Sequence, residues 1–244
     1  MNQTYKNVEI LVIDNFSLDN TKEACERFPV QFIRYKGSRS AARNLGLERA
    51  KGEFILFLDS DQVLSSTVLE ECVDLTVSAS ANCIFIPTKW VEYKPSESFI
   101  NCVALHNLEV EIGVRIDIPF FYSRDIIGEQ RFDEKLSLGE DYLFFIQTLK
   151  RYPKIARTKA IMYHFEDPDV KGVIRRSWRY GSMFRIGLED LGYRYLQELS
   201  VFRKETLRGL FITALSNPSV IFGFLFYCLI KYFSFLLAYL SVRL

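Results

Sequence analysis

Cysteine is scarce and poorly arranged for bridging. There are five, Cys25, Cys72, Cys83, Cys102 and Cys228, an odd number with no CxxC pair, so neither a disulfide framework nor a structural zinc site is expected. A reducing compartment fits that usage. No collagen-like period, low-complexity tract or solenoid-length repeat occurs, which excludes fibrous and repeat architectures. A secretory signal is not expected from this start, where Met1 is followed by the polar stretch Asn2-Gln3-Thr4-Tyr5-Lys6. Only two histidines occur, His106 and His164. What is present is ample apolar material: 49% of the 244 residues are hydrophobic and 25% charged, the balance of one folded domain plus a small extra segment.

The net charge of +1 conceals a split, −6 over residues 1–170 and +7 over residues 171–244. An acidic body with a basic tail does not fit a general nucleic-acid binder. The basic part interleaves arginine with aromatic residues, from Ile174-Arg175-Arg176-Ser177-Trp178-Arg179-Tyr180 to Met183-Phe184-Arg185-Ile186. It reads either as an interfacial helix meeting lipid phosphates or as a helix packing its aromatics on the domain. Residues 220–242 then carry a single charge, Lys231. As a helix these 23 residues would span about 35 Å against roughly 30 Å of hydrocarbon. A lysine near the middle costs about 2.5–3.5 kcal/mol on insertion scales unless it snorkels or meets a partner. A monotopic insertion, with Leu210–Leu215 and a break at Asn217-Pro218, is the alternative. Both tether the protein, and if the run spans, the Lys/Arg excess ahead of it is expected to place the large N-terminal part on the cytoplasmic side of the cell membrane. The expected division is a domain over 1–170, a basic amphipathic region over 171–216 and a membrane-inserted helix over 217–244.

Within the body, Val8–Ile13, Val30–Tyr35, Phe54–Leu58, Asn82–Ile86, Pro119–Tyr122 and Ala160–Tyr163 read as strands. Helices are expected from Asp19 to about Arg27, from Ser38 or Ser40 to Ala50 with Gly52 closing it, over Ser66–Val77, over Glu97–Glu111, and from Gly139 onward. Strands alternating with helices predict an α/β domain with a mainly parallel sheet covered by helices on both faces.

The chemistry gathers at strand ends. Asp59-Ser60-Asp61 follows a wholly apolar strand, and side chains two apart on an extended chain point the same way, so both carboxylates can face one site at the sheet's carboxyl edge. Two hard oxygen donors suit Mg2+ or Mn2+ and hence phosphate oxygens, although acidic residues also close turns. Asp14-Asn15 ends the first strand on the same edge, where an acid can accept from a ligand's base or ribose. Glu140-Asp141 opens a helix, where it serves as a cap or, kept ionised, as a general base. His164, at a strand end, reads as a third metal ligand or a loop residue; His106 reads as structural.

In this order these residues resemble a family 2 glycosyltransferase of the GT-A nucleotide-diphospho-sugar fold. The resemblance runs from Gln3 to about Tyr180, through QTYKNVEILVIDNFSLDNT, SRSAARNLGLERAKGEFILFLDSD and FYSRDIIGEQRFDEKLSLGEDY. It implies that Asp14, with Asn15, holds the nucleotide base, that Arg43 and Asn44 line the nucleotide side, and that Asp59 lies near ribose and metal. It further implies that Asp61 binds the metal, that Asp141 takes the acceptor proton with Glu140 shaping the acceptor site, and that His164 is a further metal ligand. The implied enzyme is an inverting, metal-dependent, hexosyltransferase-like catalyst of polysaccharide biosynthesis. Its partners are a nucleotide-diphospho-sugar donor, a lipid-linked or glycan acceptor, and the membrane.

Two departures matter. The family begins with a strand, a polar turn and a helix that are missing ahead of Gln3, about 30 residues, so the expectation is that Met1 is internal to a longer product, or that the sheet has a gap. The QxxRW signature of processive synthases is absent, which favours single-sugar addition. The competing function is a catalytically impaired membrane-bound remnant that partners an intact transferase. A nucleotidyltransferase on a related sheet would want a Gly-rich phosphate loop, and none is present.

Overall fold

The computed structural model describes residues 2–92, 120–136, 139–166, 170–175, 177, 178, 181 and 218–241. In chain order the elements are β1 (Leu11–Asp14), α1 (Thr21–Cys25), β2 (Gln31–Arg34), α2 (Arg39–Arg49), β3 (Phe54–Leu56), β4 (Gln62–Leu64), α3 (Val68–Ser78), β5 (Cys83–Phe85), β6 (Thr88–Glu92), β7 (Phe121–Ser123), α4 (Arg124–Ile127), α5 (Glu140–Arg151), β8 (Ile155–Arg157), β9 (Met162–Glu166) and α6 (Pro218–Ser241). The helix expected over 97–111 with His106, most of the basic aromatic stretch and Leu210–Leu215 lie outside the described residues.

The chain divides into two compact units. One comprises Met1–Ser60, Leu64–Pro87 and Ile118–Met162; the other comprises Asp61–Val63, Thr88–Asp117 and Tyr163–Leu244. In the first unit β1 and β2 pair in parallel as a two-stranded sheet, separate from a four-stranded sheet ordered β3-β7-β5-β8. There the expectation of a mainly parallel sheet is corrected. β7 runs antiparallel to both β3 and β5, and only β5 with β8 is parallel, so the sheet is mixed. β7 sits between two strands that precede it in the chain, a position that needs no parallel crossover helix.

Alternation along these strands sorts the core. Ile55, Tyr122 and Cys83 face one way and join Leu47 of α2 and Phe144 of α5. Phe54, Leu56, Phe121 and Ile84 face the other way and join Val68 and Cys72 of α3. Helices therefore cover both faces, as expected. Burial pushes the thiols of Cys72 and Cys83 up to about 12, leaving them small core hydrophobes without thiolate reactivity.

Local signals explain the helix ends. Ser38 caps α2 by accepting from the Ala41 N–H at 3.1 Å. The helix stops at Arg49, and the Glu9 carboxylate takes up the N–H groups of Lys51 and Gly52 beyond it. α1 is shorter than expected, ending before Phe28-Pro29, where the residue ahead of proline is steered out of the helical region. Gly139 stands before α5 at φ +75°, a backbone state that glycine adopts freely.

The second unit holds a three-stranded sheet ordered β4-β9-β6, and α6. Neither β4 nor β6 was expected from the sequence. α6 occupies the apolar run over 24 residues and exposes Leu225, Phe226, Leu229, Phe233, Leu236 and Leu240. Among the described residues no helix is long and apolar enough to cross a membrane.

Candidate functional site

In the first unit the site grows from one face of α2. Arg39 and Arg43 are four residues apart, so their side chains project from the same side of the helix. Both reach the first turn of α5: Arg39 Nε lies 2.9 Å and Arg43 Nη1 3.2 Å from Glu140 Oε1. The other guanidinium nitrogen of Arg43, Nη2, donates to Asp59 Oδ1 at 3.0 Å, just beyond β3. Arg43 also lies over the ring of Phe132, 5.4 Å from its centroid. One arginine thus links the chain leaving β3, the first strand of the four-stranded sheet, to the start of a helix, and Glu140, 2% exposed, is held by two cations.

Asp141 follows at the same helix start, and its own backbone neighbour Tyr142 donates to it at 2.7 Å. Burial raises its carboxyl above the usual carboxylate range. Arg43 and Arg39 pull it back, and the charge of Asp59 adds to the rise. Glu140 is raised as well, first by burial and then by Asp141, against Arg39 and Arg43. Tyr122, from β7, is pushed well up by burial, with Cys83 and Asp141 adding to it. Two acids, two arginines and Asp59 therefore form one electrostatic group, in which burial raises the proton affinity of Asp141 and of Glu140 and the two arginines oppose it.

The remaining expected residues are placed as follows. Asp14 is buried at the end of β1; both its oxygens accept from the Ser17 N–H at 3.2 Å, and Arg34 stands 3.7 Å away. Asn15 accepts from the Gly37 N–H at 3.4 Å. Asn44 is committed elsewhere. Its amide nitrogen donates to the Phe132 carbonyl and to Glu134, both at 2.9 Å, and its oxygen accepts from the Phe132 N–H at 2.8 Å. It braces the segment ahead of α5, together with Ser40, whose hydroxyl donates to the Leu136 carbonyl.

Asp61 and His164 meet in the second unit. His164 Nε2 lies 3.1 Å from Asp61 Oδ2, and the Phe165 N–H donates to the Asp61 carbonyl at 2.8 Å, fixing β9 beside the chain that enters β4. Trp90, on β6, stacks on the imidazole with ring centroids 4.0 Å apart and planes 23° off parallel. Two ligands bound at about 2.0–2.2 Å to one ion stand about 3 Å apart, so this pair fits one edge of a coordination shell. Mg2+ and Mn2+ sites use one or two protein donors and leave the rest to water and phosphate oxygens, which the pair satisfies. Among the described residues no three His, Cys, Asp or Glu side chains form a metal-holding group, and Asp59 is bound to Arg43.

Sequence reasoning missed Arg39 and Trp90. Arg39 was findable, being one helical turn before Arg43. Trp90 was not, because β6 carries no strand pattern strong enough to pair it with His164.

The glycosyl transferase family 2 model matches residues 1–129, more than half of the chain. The chain belongs to glycosyl transferase family 2. Among curated proteins, it is 28% identical to the minor teichoic acid biosynthesis protein GgaA of Bacillus subtilis over 71% of this chain and 43% of that protein. It is 38% identical to the glycosyltransferase GlyG of Streptococcus pneumoniae over 29% of this chain and 26% of that protein. The chain spans less than half the length of these relatives. Among solved structures, S. aureus TarS 1-349 in complex with UDP-GlcNAc superposes with a TM-score of 0.55 at 14% identity, over 98% of this chain and 84% of that one. That likeness carries the fold alone: mixed α/β and GT-A-like.

Proposed function

We propose that this chain transfers a sugar from a nucleotide-diphospho-sugar to an acceptor hydroxyl, inverting the anomeric carbon. The observation that carries the reading is Arg43 joining Asp59 to Glu140 beside the desolvated carboxyl of Asp141. Asp141 is the base. Its raised proton affinity makes it a better acceptor for a hydroxyl proton than an ordinary aspartate, while Arg39 and Arg43 keep it ionised often enough to work. Glu140 anchors the two arginines. Asp14, held rigid by the Ser17 N–H, and Asn15 take the nucleotide base, and Asp59 takes the ribose. Asp61 and His164 would hold Mg2+ or Mn2+, and the cation when bound supplies neutralisation of the charge growing on the departing nucleoside diphosphate.

For the donor, the UDP-GlcNAc complex of TarS supports a uridine diphosphate sugar. The acceptor is a glycan or lipid-linked wall polymer, a reading supported by the teichoic acid biosynthesis relatives. The exposed apolar face of α6 supports attachment to the cytoplasmic face of the cell membrane, with Lys231 lying 5.7 Å from the ring of Tyr227 and 5.9 Å from that of Tyr232. The test is release of UDP from a panel of labelled UDP-sugars by the full chain with Mn2+ and a polyol-phosphate acceptor. Turnover that disappears in Asp141→Asn while nucleotide binding persists supports the assignment. A folded chain that binds no nucleotide sugar would overturn it in favour of a non-catalytic partner of another transferase.

A further inference from the structure

We propose that Trp90 is a positioning residue for the cation site: by stacking on His164 it aims the imidazole at the oxygen of Asp61, so that both donors meet one divalent ion. The inference rests on the metal-assisted reading above. All three residues belong to the second unit, and the sheet order β4-β9-β6 sets them in a row across it, with His164 on the middle strand and Trp90 on its neighbour.

The geometry explains how an indole can act there. Indole Nε1–H is a donor only and cannot ligate a cation, so any influence of Trp90 passes through its face. That face lies parallel to the imidazole within 23° at 4.0 Å, which is stacking distance, and Trp90 is 6% exposed, so the surface is fixed by its surroundings. The second side-chain torsion of histidine is broad and can swing the ring. A ring lying flat against a fixed plane keeps only orientations in that plane, and the one found directs Nε2 to Asp61 Oδ2 at 3.1 Å. Ordering the ligand before the ion arrives removes that cost from binding. Outer partners that fix the ring orientation of a metal-bound histidine, most often by a hydrogen bond, set metal affinity, and here the indole face supplies the orientation by stacking.

The test uses Mn2+ alone as the probe on the full chain, reading affinity from free-ion electron paramagnetic resonance and nitrogen coupling from spin-echo modulation. In wild type, bound Mn2+ should show imidazole nitrogen modulation that His164→Ala removes. Trp90→Leu should weaken Mn2+ binding by about tenfold and diminish the modulation, and Trp90→Phe, which keeps a stacking ring, should restore both. Should Trp90→Leu fail to fold, Trp90→Met against Trp90→Phe decides the same point. A folded leucine or methionine variant with wild-type affinity and modulation overturns the role of Trp90 while leaving the cation reading intact. Absence of nitrogen modulation in wild type, with unchanged affinity in His164→Ala, overturns the cation reading itself and the inference with it.

Discussion

Arg43 donates to Glu140 at 3.2 Å across 97 residues of chain, tying the middle of α2 to the first turn of α5. With its second nitrogen on Asp59 the same side chain holds three elements in register. A guanidinium suits this because its fork is planar and presents two parallel donors, which an ammonium cannot do.

Replacing it should be costly in both stability and turnover. Arg43→Lys keeps the charge and loses the fork, so kcat is expected to fall by about 100-fold with folding preserved. Arg43→Ala should lose about 1–3 kcal/mol of stability, less than a fully broken buried pair because Arg39 still holds Glu140. Urea unfolding and steady-state rates measured on the same preparations check both expectations.

Asp141 and Glu71 should push stability in opposite directions as pH changes. Asp141 is raised in the folded state, so its contribution is present at low pH and lost as pH climbs through the folded value; Asp141→Asn should therefore be more stable than wild type at pH 8 and not at pH 4. Glu71 accepts from the N–H groups of Ala160 and Lys159 and is lowered, so its contribution is present above the ordinary glutamate range and fades as pH falls through the folded value. Glu71→Gln should thus be less stable at pH 7 and approach wild type in acid. Melting curves across pH 3–8, an approximate window set by ordinary carboxylate titration, separate the two.

The acid limb of kcat should lie above the pH at which ordinary aspartates titrate, because burial of Asp141 delays its ionisation. Arg39→Gln removes one of the two cations that oppose the rise, so the limb should move to still higher pH. A limb that stays in place in this variant would detach Arg39 from the base.

Asn44 should behave as a brace and not as a ligand. Asn44→Ala leaves the Phe132 N–H and carbonyl short of partners, each costing about 1–3 kcal/mol when buried. Asn44→Asp should be worse, since it sets a carboxylate against the Phe132 carbonyl and Glu134. Isothermal titration with UDP should show affinity changing only to the extent that folding does.

In the core, Phe144 is 1% exposed and stacks on Phe132 with centroids 4.2 Å apart. Phe144→Ala should cost about 3–5 kcal/mol, enough to unfold a marginal domain at 37 °C. Thermal denaturation followed by circular dichroism reads it directly.

Much of this was visible in the chain alone. Alternation and apolar runs place β1, β2, β3 and β5, Ser38 announces α2, and Gly139 with two acids announces α5, because such signals depend on neighbours a few residues apart. The acids at 59, 61 and 141 and the histidine at 164 are singled out by the same means. Pairing direction is different: β7 could be recognised as a strand, but its antiparallel place between β3 and β5 depends on contacts more than 35 residues distant.

The sequence by itself determined the family, the helices on both faces of the sheet and the chemical types gathered at strand ends, since periodicity and short motifs are local properties. Tertiary structure alone decided how those residues are used. It turned Asn44 into a brace, gave Glu140 to two arginines, bound Asp59 to Arg43, and set Trp90 against His164. Those partnerships join residues at least 16 positions apart in the chain, beyond the reach of local sequence signals, and the free energy of bringing them together comes from tertiary packing.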